Sequence, residues 1–183
     1  MDKKGIVVYC ASSDRVDDKY KALAREVGRL IVENGFYLIN GGGRLGLMKE
    51  TIDGVVEAGG EAIGVLPDFM NDRGWGHDRL TSTIVTPGMH PRKAKMAEMS
   101  VAAIALPGGI GTLDELCEIM TWRQLGLYKH PVVILNLDGF YDPLIQMFDK
   151  MHALNFMRDN SQLCTVVATA AEALEAIIRE NNK

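Results

Sequence analysis

Seven short runs of apolar, often β-branched residues recur along the chain, and helix-like patterns separate them. Several runs are apolar throughout, which is typical of parallel strands covered by helices on both faces. The intervening segments are long enough for the crossover helices that parallel strands need. The pattern predicts a single α/β domain over residues 1–183, with a doubly wound sheet of about seven mostly parallel strands and helices on both faces. The predicted strands are GIVVY (5–9), FYLIN (36–40), EAIGVL (61–66), STIVT (82–86), VAAIAL (101–106), PVVILN (131–136) and LCTVV (163–167).

The first and last helices have the clearest amphipathic patterns. Apolar residues at helical spacing predict helices over about 16–33 and 170–181. Ligands of doubly wound sheets bind beyond the carboxyl ends of the strands, where the strand order reverses. The loops that follow the strands are therefore where a functional site is expected. The stripe of the first helix comprises Tyr20, Leu23, Val27, Leu30 and Ile31.

Composition argues against several classes of function. The net charge of −4 at pH 7 gives no electrostatic reason to expect a nucleic-acid partner. The first apolar run is too short for a secretion signal, and no later run approaches a membrane span. The cysteines and histidines lack the spacing of a disulfide framework or a metal site. We expect a cytoplasmic protein with no metal and no membrane partner. Its cysteines are expected to be small buried apolar residues: Cys10, Cys117 and Cys164.

The turn PGGIGT (107–112) follows an apolar strand and opens a helix. Its glycines let backbone N–H groups converge on one point, and the positive end of the helix dipole adds to their effect. The turn is not a Walker A loop, because no Lys-Ser/Thr pair follows, and Asp114 stands where a GxGxxG fingerprint needs glycine. The alternative is tight helix–strand packing. The position of the loop favours a phosphate-type ligand.

The end of the same motif, TLDE (112–115), has a second interpretation. It fits the capping box, in which Thr112 would be the N-cap and Glu115 would reach back to the Thr112 amide. On local chemistry alone, the cap is favoured over a catalytic role for Glu115.

The segment MHPRK (89–93) places His90, Arg92 and Lys93 at the start of a predicted helix, with Pro91 as its first residue. The helix dipole opposes positive charge there by about 0.3–1 kcal/mol per group. An anion held by Arg92 and Lys93 would remove this conflict, and the alternative is a solvated basic turn.

Three other loops leave alternatives open. GGGRLG (41–46) matches GxGxxG, with Asp68 as a possible ribose ligand of NAD, but a second glycine turn packed beside the first is favoured. The hydroxyls of CASS (10–13) could meet a sugar or phosphate, or cap the next helix. The segment 67–79, with Trp75 at its tip, could be a lid or an exposed surface loop.

Together these motifs resemble the LOG ("lonely guy") family of cytokinin riboside 5′-monophosphate phosphoribohydrolases and their bacterial relatives. The family hallmark PGGxGTxxE stands at 107–115, and its Met-His-x-Arg-Lys segment stands at 89–93. The similarity extends over nearly the whole chain. Members have often been labelled lysine decarboxylases, a label for which this sequence offers no cofactor motif. One departure is Gly74, where members commonly carry a nucleotide-contacting Glu, and this bears on the choice among modified adenines.

The resemblance implies a Rossmann-like fold, a homodimer with sites near the interface, and no cofactor. The reaction it implies is hydrolysis of the N-glycosidic bond of an adenine-type nucleoside 5′-monophosphate, releasing free base and ribose 5-phosphate. Arg92 and Glu115 correspond to residues essential in the family. Two rival functions stay open, a non-catalytic carrier of a nucleotide or phosphorylated cofactor and an NAD-linked oxidoreductase. The candidate binding residues are Ser12, Gly42, Gly43, Met89, Lys93, Gly108, Gly109, Ile110, Gly111, Thr112 and Thr121.

Overall fold

The computed structural model describes residues 4–157 and 163–182 and contains a seven-stranded sheet. All six pairings between neighbouring strands are parallel, and the strand order is β4-β3-β2-β1-β5-β6-β7. The predicted α/β class and all seven predicted strands are confirmed, with bounds that shift by two residues at most. The strands are β1 (Lys4–Tyr9), β2 (Phe36–Asn40), β3 (Ala62–Pro67), β4 (Ser82–Thr86), β5 (Ser100–Ala105), β6 (Val132–Leu135) and β7 (Thr165–Val167).

Helices cover both faces of the sheet. Alternate residues of β1 point to opposite sides, so that Ile6 and Val8 join one core cluster while Val7 and Tyr9 join the other. This double burial is why the strands read as continuous apolar runs. The helices are α1 (Asp18–Glu33), α2 (Gly46–Glu57), α3 (Asp68–Asp72), α4 (Met89–Glu98), α5 (Ile110–Gln124), a 3₁₀ turn (Leu137–Gly139), α6 (Asp142–Ala153) and α7 (Ala170–Asn181).

Helices α1, α2 and α7 pack on one face, and α4, α5 and α6 pack on the other. The stripe predicted for α1 is confirmed, because Leu23, Val27 and Ile31 are buried and the two remaining residues are partly buried. Gly28 of α1 and Gly54 of α2 bring these two helices into close contact. A Cβ at Gly28 would lie 2.3 Å from the Thr51 carbonyl oxygen, so only glycine fits there.

The expectation of buried cysteines is confirmed for Cys10 but not for all three. Cys10 is buried and Cys164 is partly buried, but Cys117 is exposed on the outer side of α5. A helix of this fold buries only one stripe, and Cys117 lies outside it. In the part of the chain that the structure describes, no helix has the length and apolar character needed to cross a membrane.

The strand order places the crevice of the fold between β1 and β5. The chain adds β2, β3 and β4 on one side of β1 and then returns to form β5 on its other side. The loops after β1 and β5 therefore diverge at the carboxyl edge of the sheet, which is where ligands of such folds bind.

Candidate active site

A cavity of about 630 Å³ opens at this crevice. Five segments line it: the loop after β1, the glycine turn after β2, the segment around α3, the start of α4 and the start of α5. The volume falls within the range of small-molecule sites. Its position agrees with the expectation drawn from the strand pattern.

Helix α5 begins earlier than the capping box predicts. Its N-cap is Gly109, Ile110 is its first residue, and the Leu113 amide makes the first helical hydrogen bond, to the Gly109 carbonyl. Thr112 is therefore a buried residue of the first turn and not the cap, and the capping-box interpretation is wrong. Glu115 instead forms an ion pair with a residue that is distant in the sequence.

The early start leaves the amides of residues 110–112 without helical acceptors at the edge of the cavity. A Cβ at Gly109 or Gly111 would meet no described atom within 4 Å, so this part of the cavity is open to a ligand. Backbone N–H groups at a helix start form a general anion site.

Arg92 of α4 and Glu115 of α5 form a pair inside the cavity. Arg92 Nη1 lies 2.8 Å from Glu115 Oε1, and the exposed fractions of the two side chains are 8% and 12%. Arg92 Nε also donates to the Val65 carbonyl at 2.8 Å, which fixes the guanidinium in a second direction. Gly41 provides the space, because a Cβ there would lie 2.2 Å from Arg92 Nη2.

Burial and pairing act on Glu115 in opposite senses. Burial raises the pKa of the Glu115 carboxyl, whereas the charge and hydrogen bond of Arg92 lower it, and the net pKa lies above the ordinary value for Glu. A buried carboxylate with a perturbed pKa and one dedicated cation is typical of catalytic sites.

Lys93 points away from the cavity toward the side of α5. Its Nζ atom lies 3.0 Å from Asp114 Oδ2 and 3.3 Å from Glu118 Oε2. Carboxylates of α5 thus offset the cations at the start of α4, so an external anion is not needed to remove the conflict expected there. Pro91 is the third helical residue and not the first, because α4 begins at Met89 after Gly88, whose φ is +94°.

The glycine turn 41–46 lines the same cavity as the 107–112 turn. The Leu47 amide donates to the Ala11 carbonyl at 2.9 Å, which joins this turn to the loop after β1. Gly42 has φ +70° and packs against Leu66. Asp68, the acidic residue required by an NAD fingerprint, lies at the start of α3 and is not among the described residues that line the cavity.

The segment 67–79 forms one wall of the cavity. The Arg44 amide donates to the Trp75 carbonyl at 3.1 Å, and the His77 amide donates to the Gly42 carbonyl at 2.8 Å. Met70 and Trp75 line the cavity from this segment. It is therefore an attached wall and not a free surface loop.

The structure brings most of the candidate residues together. Gly42, Gly108, Lys93 and Thr121 are not among the described residues that line the cavity, and Thr121 instead lines a separate groove on the outer side of α5. Sequence reasoning did not select Met70, Trp75, Leu45 or Met48, although the indole at the loop tip was a signal. The candidates that line the cavity are Ser12, Gly43, Met89, Arg92, Gly109, Ile110, Gly111, Thr112 and Glu115.

Comparisons with known proteins agree with these motifs. A family described as possible lysine decarboxylase matches residues 48–177. The cytokinin riboside 5′-monophosphate phosphoribohydrolase LOG of Oryza sativa subsp. japonica is 39% identical over 96% of this chain and 72% of its own length. The chain belongs to the LOG family. Another member, a cytokinin riboside 5′-monophosphate phosphoribohydrolase of Arabidopsis thaliana, is 37% identical over 96% of this chain and 81% of its own.

Solved structures confirm the Rossmann-like fold. The molybdenum cofactor carrier protein of Chlamydomonas reinhardtii has a TM-score of 0.78 and 27% identity over the full length of both chains. The DNA processing protein A of Helicobacter pylori has a TM-score of 0.60 at 12% identity, covering 97% of this chain and 81% of its own. The second similarity concerns the fold alone.

Proposed function

We propose that this LOG-family protein hydrolyses the N-glycosidic bond of nucleoside 5′-monophosphates. The substrate is AMP or a cytokinin riboside monophosphate, and the products are the free base and ribose 5-phosphate. The observation that carries the proposal is the buried Arg92–Glu115 pair, which shares one cavity with the open start of α5. The names of the LOG relatives give the same reaction class.

Cleavage of the bond between ribose and base places positive charge on C1′ and O4′. A carboxylate near C1′ stabilises that charge and orients the attacking water, as in glycosidases. Two carboxylates line the described part of the cavity, and Glu115 is the buried one, whereas Asp114 is 55% exposed, so we assign this role to Glu115. The 5′-phosphate binds the free amides at the start of α5, because hydrogen bonds from backbone amides to an ionised group are stronger than those between neutral groups.

Arg92 favours the ionised form of Glu115 in a site whose burial favours the protonated acid. Its guanidinium is fixed by Glu115 and by the Val65 carbonyl, so it is already oriented before the substrate binds. A fixed cation beside the sugar also stabilises the negative charge of the departing base. No cofactor enters this scheme.

The test is to incubate the protein with AMP and follow free adenine by chromatography, with ribose 5-phosphate as the second product. Wild type should release both in equal amounts. Glu115→Gln should lower the rate about 10²–10³-fold, the effect of removing one preorganised electrostatic group. Glu33→Gln, which changes an exposed carboxylate paired with Arg29, is the matched control and should leave the rate unchanged. No release from wild type, or undiminished release from Glu115→Gln, contradicts the proposal.

The overall similarity to molybdenum cofactor carriers supports a second candidate, a carrier of a phosphorylated cofactor. This candidate predicts AMP or cofactor binding with no product over hours. The higher identity to the phosphoribohydrolases and the presence of both Arg92 and Glu115 favour the hydrolase. The NAD alternative has less support, because Asp68 lies away from the described lining of the cavity.

We also propose a homodimer with the site near the interface. Support comes from Ile110, whose exposed fraction is 82%, and from the groove beside it on α5, which contains Leu113, Thr121 and Trp122. Because Ile110 lines both the cavity and this groove, a second chain on the groove would reach the edge of the site. Light scattering of wild type and Ile110→Glu tests the dimer, which the charged side chain should dissociate. The cytoplasmic location stays a prediction, and we propose a role in cytokinin biosynthesis from the names of the LOG relatives.

A further inference from the structure

A second cluster of polar and charged side chains lies outside the Arg92–Glu115 pair and surrounds Asp53 of α2. The Asp53 carboxylate is 7% exposed and lies 2.7 Å from both Lys49 Nζ and Arg79 Nη1. His77 Nε2 is 3.5 Å away and Arg25 Nη2 is 3.6 Å away. We call these five residues the Asp53 cluster.

Two members of the cluster belong to the wall of the cavity. His77 and Arg79 lie two and four residues after Trp75, and the Arg79 amide donates to His77 Nδ1 at 3.1 Å, which folds the two residues together. The backbone of the same segment is attached to the glycine turn, because the Trp75 carbonyl accepts from the Arg44 amide and the His77 amide donates to the Gly42 carbonyl. The wall is thus held by the glycine turn through its backbone and by Asp53 through its side chains.

Trp75 is the part of this wall that a ligand would meet. Its side chain lines the cavity, its exposed fraction is 42%, and the Arg73 guanidinium lies 5.2 Å from its ring centroid. With the phosphate at the start of α5, the indole is available to the base, because aromatic rings stack on nucleobases.

The environment of Asp53 keeps it charged. Burial raises the pKa of its carboxyl, but the hydrogen bond from Lys49 and the charges of Lys49 and Arg79 outweigh burial, and the pKa lies below the ordinary value. Removing one charge from a buried ion pair is strongly destabilising, because the partner charge stays buried without compensation. Loss of the Asp53 charge should therefore weaken the contact between α2 and the cavity wall.

We propose that Asp53 is a positioning residue that acts through His77 and Arg79 to hold Trp75 against the bound base. It touches neither substrate nor reacting atoms. The proposal rests on the proposed function only in taking a nucleoside 5′-monophosphate as the ligand. Loss of Asp53 therefore weakens nucleotide binding and leaves the chemical step unchanged.

The first readout needs no turnover. Trp122→Phe leaves Trp75 as the single tryptophan of the two in the sequence. In that background, Asp53→Asn should increase acrylamide quenching of Trp75 in the ligand-free protein. Asp138→Asn, which changes an exposed carboxylate paired with Lys19, is the matched control and should leave quenching as in the parent. Unchanged quenching in Asp53→Asn overturns the proposal, whether or not the protein hydrolyses AMP.

The second readout separates binding from chemistry. Asp53→Asn should raise KM for AMP about tenfold, the effect of losing one charge-assisted hydrogen bond, with kcat unchanged. Trp75→Ala should also raise KM, and adding Asp53→Asn to it should raise KM no further, since both changes remove the same contact. Additive effects, or a fall in kcat alone, contradict the proposal. If wild type releases no base, the proposed function fails, and fluorescence titration with AMP replaces KM in the same comparisons.

A third variant covers the possibility that Asp53→Asn fails to fold. Arg79→Gln removes only one of the two wall residues that contact Asp53, and the Arg79 side chain is 44% exposed, so its loss should not unfold the protein. It should reproduce both the increased quenching of Trp75 and the higher KM. A folded Arg79→Gln protein with wild-type quenching and KM overturns the proposal.

Discussion

Gly111→Ala should have opposite effects on stability and on substrate binding. Gly111 is the second residue of α5, its φ is not in the left-handed region, and an added Cβ would meet no described atom within 4 Å. Replacing a helical glycine by alanine under these conditions stabilises a protein by about 0.4–1 kcal/mol, mainly by restricting the unfolded chain. For a domain of this size the melting temperature should rise by about 1–4 °C.

The same methyl group would enter the space that we assign to the 5′-phosphate. Loss of one hydrogen bond to a charged group costs about 1.5–3 kcal/mol, so KM for AMP should rise about 10- to 150-fold, with a smaller effect on kcat. Scanning calorimetry and initial rates measure the two effects on one preparation. A more stable variant with an unchanged KM would refute the placement of the phosphate.

Gly59→Ala is the matched control. Its Cβ would also meet no described atom within 4 Å, but its φ is +74°, a left-handed conformation that alanine adopts at a cost of about 1–2 kcal/mol. Gly59 lies outside the described lining of the cavity. The control should therefore lower the melting temperature and leave KM as in wild type.

Three further predictions concern the Arg92–Glu115 pair. Gly41→Ala should lower kcat/KM about 10²-fold in initial-rate assays by displacing the guanidinium, whereas Gly60→Ala, whose Cβ would meet Val32 at the same 2.2 Å, should lower stability alone. The pKa of Glu115 is raised and its carboxylate is the active form, so kcat/KM should fall as the pH decreases through a value above the ordinary pKa of Glu. A kcat/KM that stays constant below that pH contradicts this prediction. Lys93→Gln should raise KM for AMP less than Arg92→Gln does, and an equal rise would place the Lys93 amine on the nucleotide.

Local sequence patterns were sufficient to predict the strands of the sheet and the position of the site. The inner strands of this fold are buried on both faces, so their apolar runs mark them directly in the sequence. The order of strands and helices then places the loops after β1 and β5 at the crevice. Arg92, Glu115 and the glycines of the 107–112 turn follow from those loops and from the resemblance.

The wrong predictions concern side chains whose partners are distant in sequence. Glu115 satisfies a local capping signature, but Arg92, 23 residues earlier, takes its carboxylate, and α5 starts at Ile110 instead. Lys93, which was expected to hold an external anion, pairs with Asp114, 21 residues later, so its contact with a nucleotide stays a prediction. Local sequence propensity cannot predict such contacts, because α4 and α5 lie side by side only in the folded protein.

The Asp53 cluster was not visible in the sequence for the same reason. Asp53 and Arg79 are 26 residues apart and belong to a helix and a loop that meet only at the cavity wall. Trp75 stood out as an indole at a loop tip, but the choice between a lid and a surface loop depended on its backbone bond to Arg44. Whether a carboxylate is buried depends on the fold and not on the residues next to it in the sequence.

The most direct measurement is a crystal structure of the Glu115→Gln variant, which should bind but not cleave, with AMP in the cavity. The account predicts that the phosphate accepts hydrogen bonds from the amides of residues 110–112 and that C1′ lies against the side chains of residues 92 and 115. It also predicts the adenine beside Trp75. A phosphate bound elsewhere, or a sugar that does not reach residues 92 and 115, would contradict the assignment of this cavity as a nucleotide hydrolase site.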